Sequence, residues 1–96
     1  MLVLKYTFIR PNTSVPFYLS STPEFNNAVT AAKESGDIIS STPVVNRLSL
    51  TITTSFPSQE AFDRISSNSI FVKNKQERTA FHINNGITEL VELTIN

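Results

Sequence analysis

Residues 47–56 read Arg-Leu-Ser-Leu-Thr-Ile-Thr-Thr-Ser-Phe, and their alternation decides the fold. Leu48, Leu50, Ile52 and Phe56 fall on one side of an extended chain, and Ser49, Thr51, Thr53 and Ser55 fall on the other. Successive side chains of a strand point to opposite faces, so this is a strand packed on one face and meeting something polar on the other. The polar face meets either bulk water or the interior of a dimer. That choice bears on function more than any short motif in the chain.

Working backward from this strand, Asp37 to Val45 reads as another strand, with Pro43 placing it at a sheet edge because proline cannot donate to a ladder. Asn46 and its neighbours turn the chain, so the two strands form a hairpin. Leu2 to Arg10 is a further strand: Leu2, Leu4, Tyr6 and Phe8 share one face, Val3, Lys5, Thr7 and Ile9 the other, and Pro11 stops it. Between them, Ser21-Thr22-Pro23-Glu24 opens a helix, with Ser21 as cap and Pro23 in the first turn. Phe25, Ala28, Val29 and Ala32 form its apolar stripe, and Gly36 ends it. Residues 12–20 are a loop unusually rich in apolar groups (Val15, Pro16, Phe17, Tyr18, Leu19), which suits a segment folded over an open core edge.

Working forward, Ser58 caps a second helix with Ala61, Phe62 and Ile65 facing inward, and the cluster Ser66 to Ser69 ends it. Ile70 to Val72 fit a strand or a tucked loop equally. Asn74 to Glu77 resembles a capped start, giving a short third helix over 75–85 with Ala80, Phe81 and Ile83 as its apolar residues and Gly86 as its stop. Ile87 to Ile95 is the last strand; Ile87, Glu89, Val91, Leu93 and Ile95 share one face, and Thr88, Leu90, Glu92 and Thr94 the other. The order strand, helix, strand, strand, helix, strand predicts one α+β domain spanning 1–96: a ferredoxin-like βαββαβ fold. Its four-stranded antiparallel sheet runs 4-1-3-2, with helices on one face and an extra short helix before the last strand. The open face then carries Lys5, Thr7, Ser49, Thr51, Thr53, Ser55, Thr88, Glu92 and Thr94 among Val3, Ile9 and Leu90.

Composition narrows the function. A chain of 96 residues has a modest core, and association is a natural source of extra stability. Eight basic residues balance eight acidic ones, and nothing resembles the basic stripe that phosphate binding requires, so nucleic acid is not expected as a partner. Lys73, Lys75 and Arg78 come nearest and read as a solvated helix start. The chain has no cysteine, which excludes disulfides and thiol chemistry. No apolar run approaches the roughly 20 residues of a membrane helix. The first residues alternate like a strand rather than a signal peptide, and a cytoplasmic protein without membrane contact is expected.

The element order, the step TSFPSQEAFDRI (54–65) from strand into helix, and the helix end HINNGI (82–87) resemble the dimeric α+β barrel superfamily. That group includes antibiotic-biosynthesis-monooxygenase-like and stress-responsive proteins, and the resemblance implies two ferredoxin-like sheets packed face to face. RPNTSVPFY (10–18) with the Thr-Pro-Glu-Phe helix start is also similar to small proteins of tailed phages. Neither resemblance carries over a catalytic residue.

Candidate chemistry is sparse. His82 is the lone histidine; it stands at a helix end, where the dipole favours a cation, with Arg78 one turn earlier on the same face. One histidine without cysteine cannot make a usual zinc site, so neither a metal nor a cofactor is expected. Glu89 on the core face is an anomaly that a register shift at the strand start, or pairing with Arg10 or Arg47, would resolve. Two functional readings follow. The leading one is a non-enzymatic interaction or assembly protein, a homodimer through the hydroxyl-rich sheet face around Thr51 and Thr53, with a further protein partner open to it. The alternative is a small cofactor-free enzyme of the monooxygenase-like type acting on an apolar or aromatic compound. Its pocket would lie between sheet and helices, roofed by Phe17 and Tyr18, with Tyr6 or His82 handling protons.

Overall fold

The structure, a computed structural model, describes residues 1–19 and 22–95. Seven elements follow in order: β1 (Leu2–Ile9), α1 (Pro23–Ser35), β2 (Ser40–Val45), β3 (Ser49–Phe56), α2 (Gln59–Ser67), α3 (Ser69–Asn85) and β4 (Thr88–Ile95). The strands form one sheet in the order β2-β3-β1-β4, with every neighbouring pair antiparallel. This is the ferredoxin-like arrangement that the alternation predicts, and Pro43 does lie on an edge strand.

Register makes the two faces of the sheet unlike. Tyr6 pairs with Ile52 and Phe8 with Leu50, whereas Lys5 pairs with Thr53 and Thr7 with Thr51. The even-numbered side of β1 and β3 is buried under the helices. One core cluster gathers Leu2, Ala32, Ile38 and Phe56, with Leu4, Phe62, Ile65 and Phe71 packed against it. A second gathers Phe8, Leu50 and Ile87, with Tyr6, Val15, Phe17, Ile52 and Phe81 around it. Val15 and Phe17 come from the loop after β1, which thus covers one end of the core. Thr54 is a hydroxyl on the helix side, and it meets the Ser41 hydroxyl of the adjacent strand at 3.2 Å.

Several expected boundaries move. Ser21 lies outside the described residues; α1 is capped by Thr22, whose side chain accepts from the Phe25 N–H. β2 begins at Ser40 rather than Asp37, because Asp37 is held by Arg64 and Ile38 enters the core. β1, β3 and β4 are shorter at one end than read, losing Arg10, Arg47 with Leu48, and Ile87. Leu48 therefore falls in the hairpin turn and is exposed rather than core-facing.

The largest correction concerns α3. It begins at Ser69, not Lys75, so residues 70–72 are helical and Asn74 to Glu77 are interior to the helix. The serine-rich stretch marks a junction between two helices. Asn68 ends α2 by donating its N–H to the Ile65 carbonyl, and its side chain accepts from the Ile70 N–H to start α3. With that phase, Ala80 and Ile83 face outward and are exposed, while Arg78, Phe81 and His82 face the sheet.

Arg64 of α2 grips Asp37 through two bonds, Nη2 to Oδ1 at 2.7 Å and Nε to Oδ2 at 3.1 Å. Hydrogen bonding to Arg64 holds the Asp37 carboxyl below the usual carboxylate range. A lowered folded value means the contribution is present above the unfolded value and is lost as pH falls through the folded one. The stability difference between the wild type and Asp37→Asn, small because the pair is exposed, is thus expected at neutral pH and should vanish in acid. Urea unfolding of both proteins across that pH range checks it.

Candidate functional site

The inward side of α3 carries Phe71, Arg78, Phe81 and His82, and two of these are polar. A helix buried through polar side chains must satisfy them inside, and the sheet supplies the means. Gly86 closes α3 in the left-handed conformation (φ 68°), and both its N–H and that of Ile87 donate to the His82 carbonyl. This tight reversal starts β4 directly beneath the helix end. Glu89, paired in register with Phe8, is thereby brought back against His82.

His82 is almost fully buried, at 2% exposure, with its ring 4.7 Å from that of Phe8. Its Nδ1 lies 2.5 Å from Glu89 Oε1. An ionised carboxylate can only accept, so Nδ1 carries the proton of this bond, and in the neutral ring Nε2 is the basic nitrogen. Arg78, one turn earlier, lies over two ring faces: its Cζ is 4.6 Å from the Tyr6 centroid and 5.2 Å from that of Phe8. Arg78 Nε is 3.9 Å from Glu89 Oε1, close enough for attraction but too far for a hydrogen bond. Arg78 Nε and Nη2 are sealed from solvent and have no hydrogen-bond partner among the described residues.

The loop after β1 roofs this cluster. Tyr18 stacks near Phe81 at 5.5 Å, and its hydroxyl donates to Glu77 Oε2 at 3.3 Å. Burial, and next the Glu77 carboxylate, push the Tyr18 phenol above its ordinary range. Arg10 pins the same loop by donating to the carbonyls of Arg47 and Val15 while its guanidinium lies 4.4 Å over the Phe17 ring. Arg10 and Arg47 therefore do not serve Glu89, contrary to expectation. His82 and Arg78 do.

The residues singled out in the sequence separate into two sets. Tyr6, Phe17, Tyr18, Arg78 and His82 share the helix side of the sheet near one end. Thr51 and Thr53 are half-buried on the opposite face, beside a depression of about 310 Å³ lined by Lys5, Thr7, Leu90, Val91 and Glu92. Arg78 is packed inward and is no part of a solvated basic stretch. Glu89 is the participant that sequence reasoning left out. Its signal was present: a carboxylate on the core face of a strand, seven residues after the lone histidine, with a glycine turn between. Among the described residues no three of His, Cys, Asp and Glu gather to hold a metal ion, and no helix is long and apolar enough to cross a membrane.

No protein-family model and no curated protein matches the chain. Its likeness is to solved structures. An antibiotic biosynthesis monooxygenase superposes with a TM-score of 0.65 at 15% identity, covering 100% of this chain and 98% of the other. SnoaB, a cofactor-independent oxygenase from Streptomyces nogalater, gives 0.59 at 12% identity, covering 99% and 91%. A conserved protein of unknown function from Bacteroides thetaiotaomicron gives 0.56 at 14% identity, covering 97% and 95%. The chain thus shares the fold of monooxygenase-like α+β proteins across its whole length. These likenesses give no support to the phage resemblance.

Glu89→Gln keeps the side chain's shape but leaves His82 and Arg78 without their carboxylate. Breaking such a partly buried pair should cost about 2–4 kcal/mol. Equilibrium urea unfolding measures it, and Glu92→Gln on the exposed face of the same strand should change stability by under roughly 0.5 kcal/mol.

Proposed function

We propose that the chain is a small cofactor-free enzyme of the monooxygenase-like type, acting on an apolar or aromatic compound, and that it works as a homodimer joined through its open sheet face. The observation that carries the enzymatic reading is the buried His82–Glu89 pair, with its short bond, beside the unspent donors of Arg78. Such a group is costly to bury for structure alone, and replacing it by apolar residues would serve packing as well. The shared fold with a cofactor-independent oxygenase supports the same reading.

In this account His82 Nε2 takes a proton from an activated carbon of the substrate, and Glu89 holds the ring in the tautomer that leaves Nε2 free to do so. The resulting carbanion gives its electrons to dioxygen. For a methylene the balance is R2CH2 + O2 → R2CO + H2O, with dioxygen as the oxidant. Phe17 and Tyr18 close the space over the substrate, which enters when Tyr18 leaves Phe81 and Glu77.

The open face favours a second copy. Ile9, Val44 and Leu90 are exposed there among hydroxyls, and Lys5 pairs in register with Glu92, so the face carries both charges and can complement itself. A homodimer with no catalysis would use this same face, but it leaves the buried trio without a task.

Oxygen uptake by the purified protein, without added cofactor, tests the proposal on aryl ketones with an activated methylene such as 2-tetralone. Uptake above the uncatalysed rate is expected, with a fall of roughly 10²–10³-fold in His82→Gln; no uptake on any such ketone would remove the enzymatic reading. Light scattering should give twice the chain mass, and Thr51→Glu should halve it by placing charge at the centre of the dimer contact.

A further inference from the structure

We infer that Asn85 and Gly86 form a self-modification site, where the Asn85 amide is exchanged with water and lost as ammonia, altering the joint between α3 and β4. Of the chain's two glycines, Gly36 follows a serine and Gly86 an asparagine, so this is the one Asn-Gly step in the sequence. The chemistry is intrinsic to that step. The Gly86 backbone nitrogen, losing its proton, attacks Asn85 Cγ; a C–N bond forms, the Cγ–Nδ2 bond breaks, and Nδ2 leaves as ammonia. Water then opens the five-membered imide at either carbonyl, giving aspartate or isoaspartate, in which the main chain runs through Cβ and Cγ. The net exchange turns an amide and a water into a carboxylic acid and ammonia, with no oxidant involved. Glycine has no Cβ to shield the attacking nitrogen, and Gly86 is exposed.

The fold holds this reaction off and so decides when it runs. Asn85 is the last residue of α3, and the imide needs the following nitrogen brought over the side chain, far from the helical ψ of about −42°. Both reacting groups are also tied down. Asn85 Nδ2 donates to the Phe81 carbonyl at 2.8 Å, and the Gly86 N–H donates to the His82 carbonyl. Attack requires both bonds to open, which is fraying of the last helical turn. The same turn holds Glu89 against His82, because the Ile87 N–H donates to that His82 carbonyl at 2.9 Å and β4 follows at once. An isoaspartate lengthens the main chain inside this reversal, takes the donor from the Phe81 carbonyl, and puts a carboxylate at the negative end of the helix dipole. The modification thus slackens the His82–Glu89 contact without touching either residue, whatever chemistry His82 performs.

Peptide mapping by mass spectrometry at mildly alkaline pH, with isoaspartate resolved by chromatography, follows the site in the folded protein and in urea. In the unfolded chain Asn85 should be modified before any other asparagine. In the folded protein it should react at least roughly tenfold more slowly, because only the frayed fraction reacts. Glu89→Gln, which loosens the turn, should speed the folded-state reaction at least about threefold. The isoaspartyl protein, separated by anion exchange, should unfold at lower urea than Asn85→Asp, which carries the same charge on a main chain of ordinary length. Equal rates in folded and unfolded protein, another asparagine reacting first in the unfolded chain, no acceleration in Glu89→Gln, or an isoaspartyl form as stable as Asn85→Asp would overturn the inference. The comparison of folded with unfolded wild type needs no variant, so it stands even where Glu89→Gln fails to fold.

Discussion

The contact between His82 and Glu89, with Arg78 lying across Tyr6 and Phe8 beside it, sets how α3 sits on the sheet. Helices of this kind usually dock by an apolar stripe, and burial of aliphatic surface fixes their position. Here the inward side of α3 carries an arginine and a histidine between Phe71 and Phe81. Its seat is determined by direction and charge, which tolerate far less displacement than hydrophobic contact does. The aromatic rings of β1 supply the apolar half of the seat, and the carboxylate of β4 supplies the polar half.

Two consequences follow for the rest of the molecule. Because α3 ends in the Gly86 turn and β4 starts at once beneath it, the strand that provides Glu89 must be the neighbour of β1 at the sheet edge. That edge strand runs beyond the shelter of the helices and carries Val91, Leu93 and Ile95 uncovered on the helix side. On the other side, the paired Thr7 and Thr51 and the paired Lys5 and Thr53 make a face of short hydroxyls and mixed charge. The sheet therefore carries Arg78, His82 and Glu89 on one side and the hydroxyl-rich residues on the other.

The strands and their order were legible because two-residue alternation survives even in short segments, and Pro43 marked its edge. The hairpin, the two glycine stops and the apolar faces of α1 and α2 were legible for the same reason. The start of α3 was not. Periodicity finds helices through apolar residues, and this helix turns Arg78 and His82 inward while exposing Ile83. The serine-rich break before it looked like a terminus because Ser and Asn cap helices in either direction; Asn68 ends one and begins the next. His82 and Arg78 could be named from their spacing, but their acceptor could not. Glu89 was explained by a register shift or by pairing with Arg10 or Arg47, whereas Arg10 is drawn away by the nearby Val15 carbonyl and Phe17 ring and by the distant Arg47 carbonyl.

Function reads most directly from the state of His82. If Glu89 is the acceptor that orients it, the imidazole carries its proton on Nδ1 and is shielded from water by Phe8 and Phe81. Long-range nitrogen–proton NMR on the labelled protein identifies the protonated ring nitrogen and the rate at which its proton exchanges. We expect an Nδ1 proton far downfield and slow to exchange, absent from the spectrum of Glu89→Gln. A ring protonated on Nε2, or one whose Nδ1 proton exchanges freely with solvent, would contradict the buried pairing on which the placement of α3 and the proposed chemistry both rest.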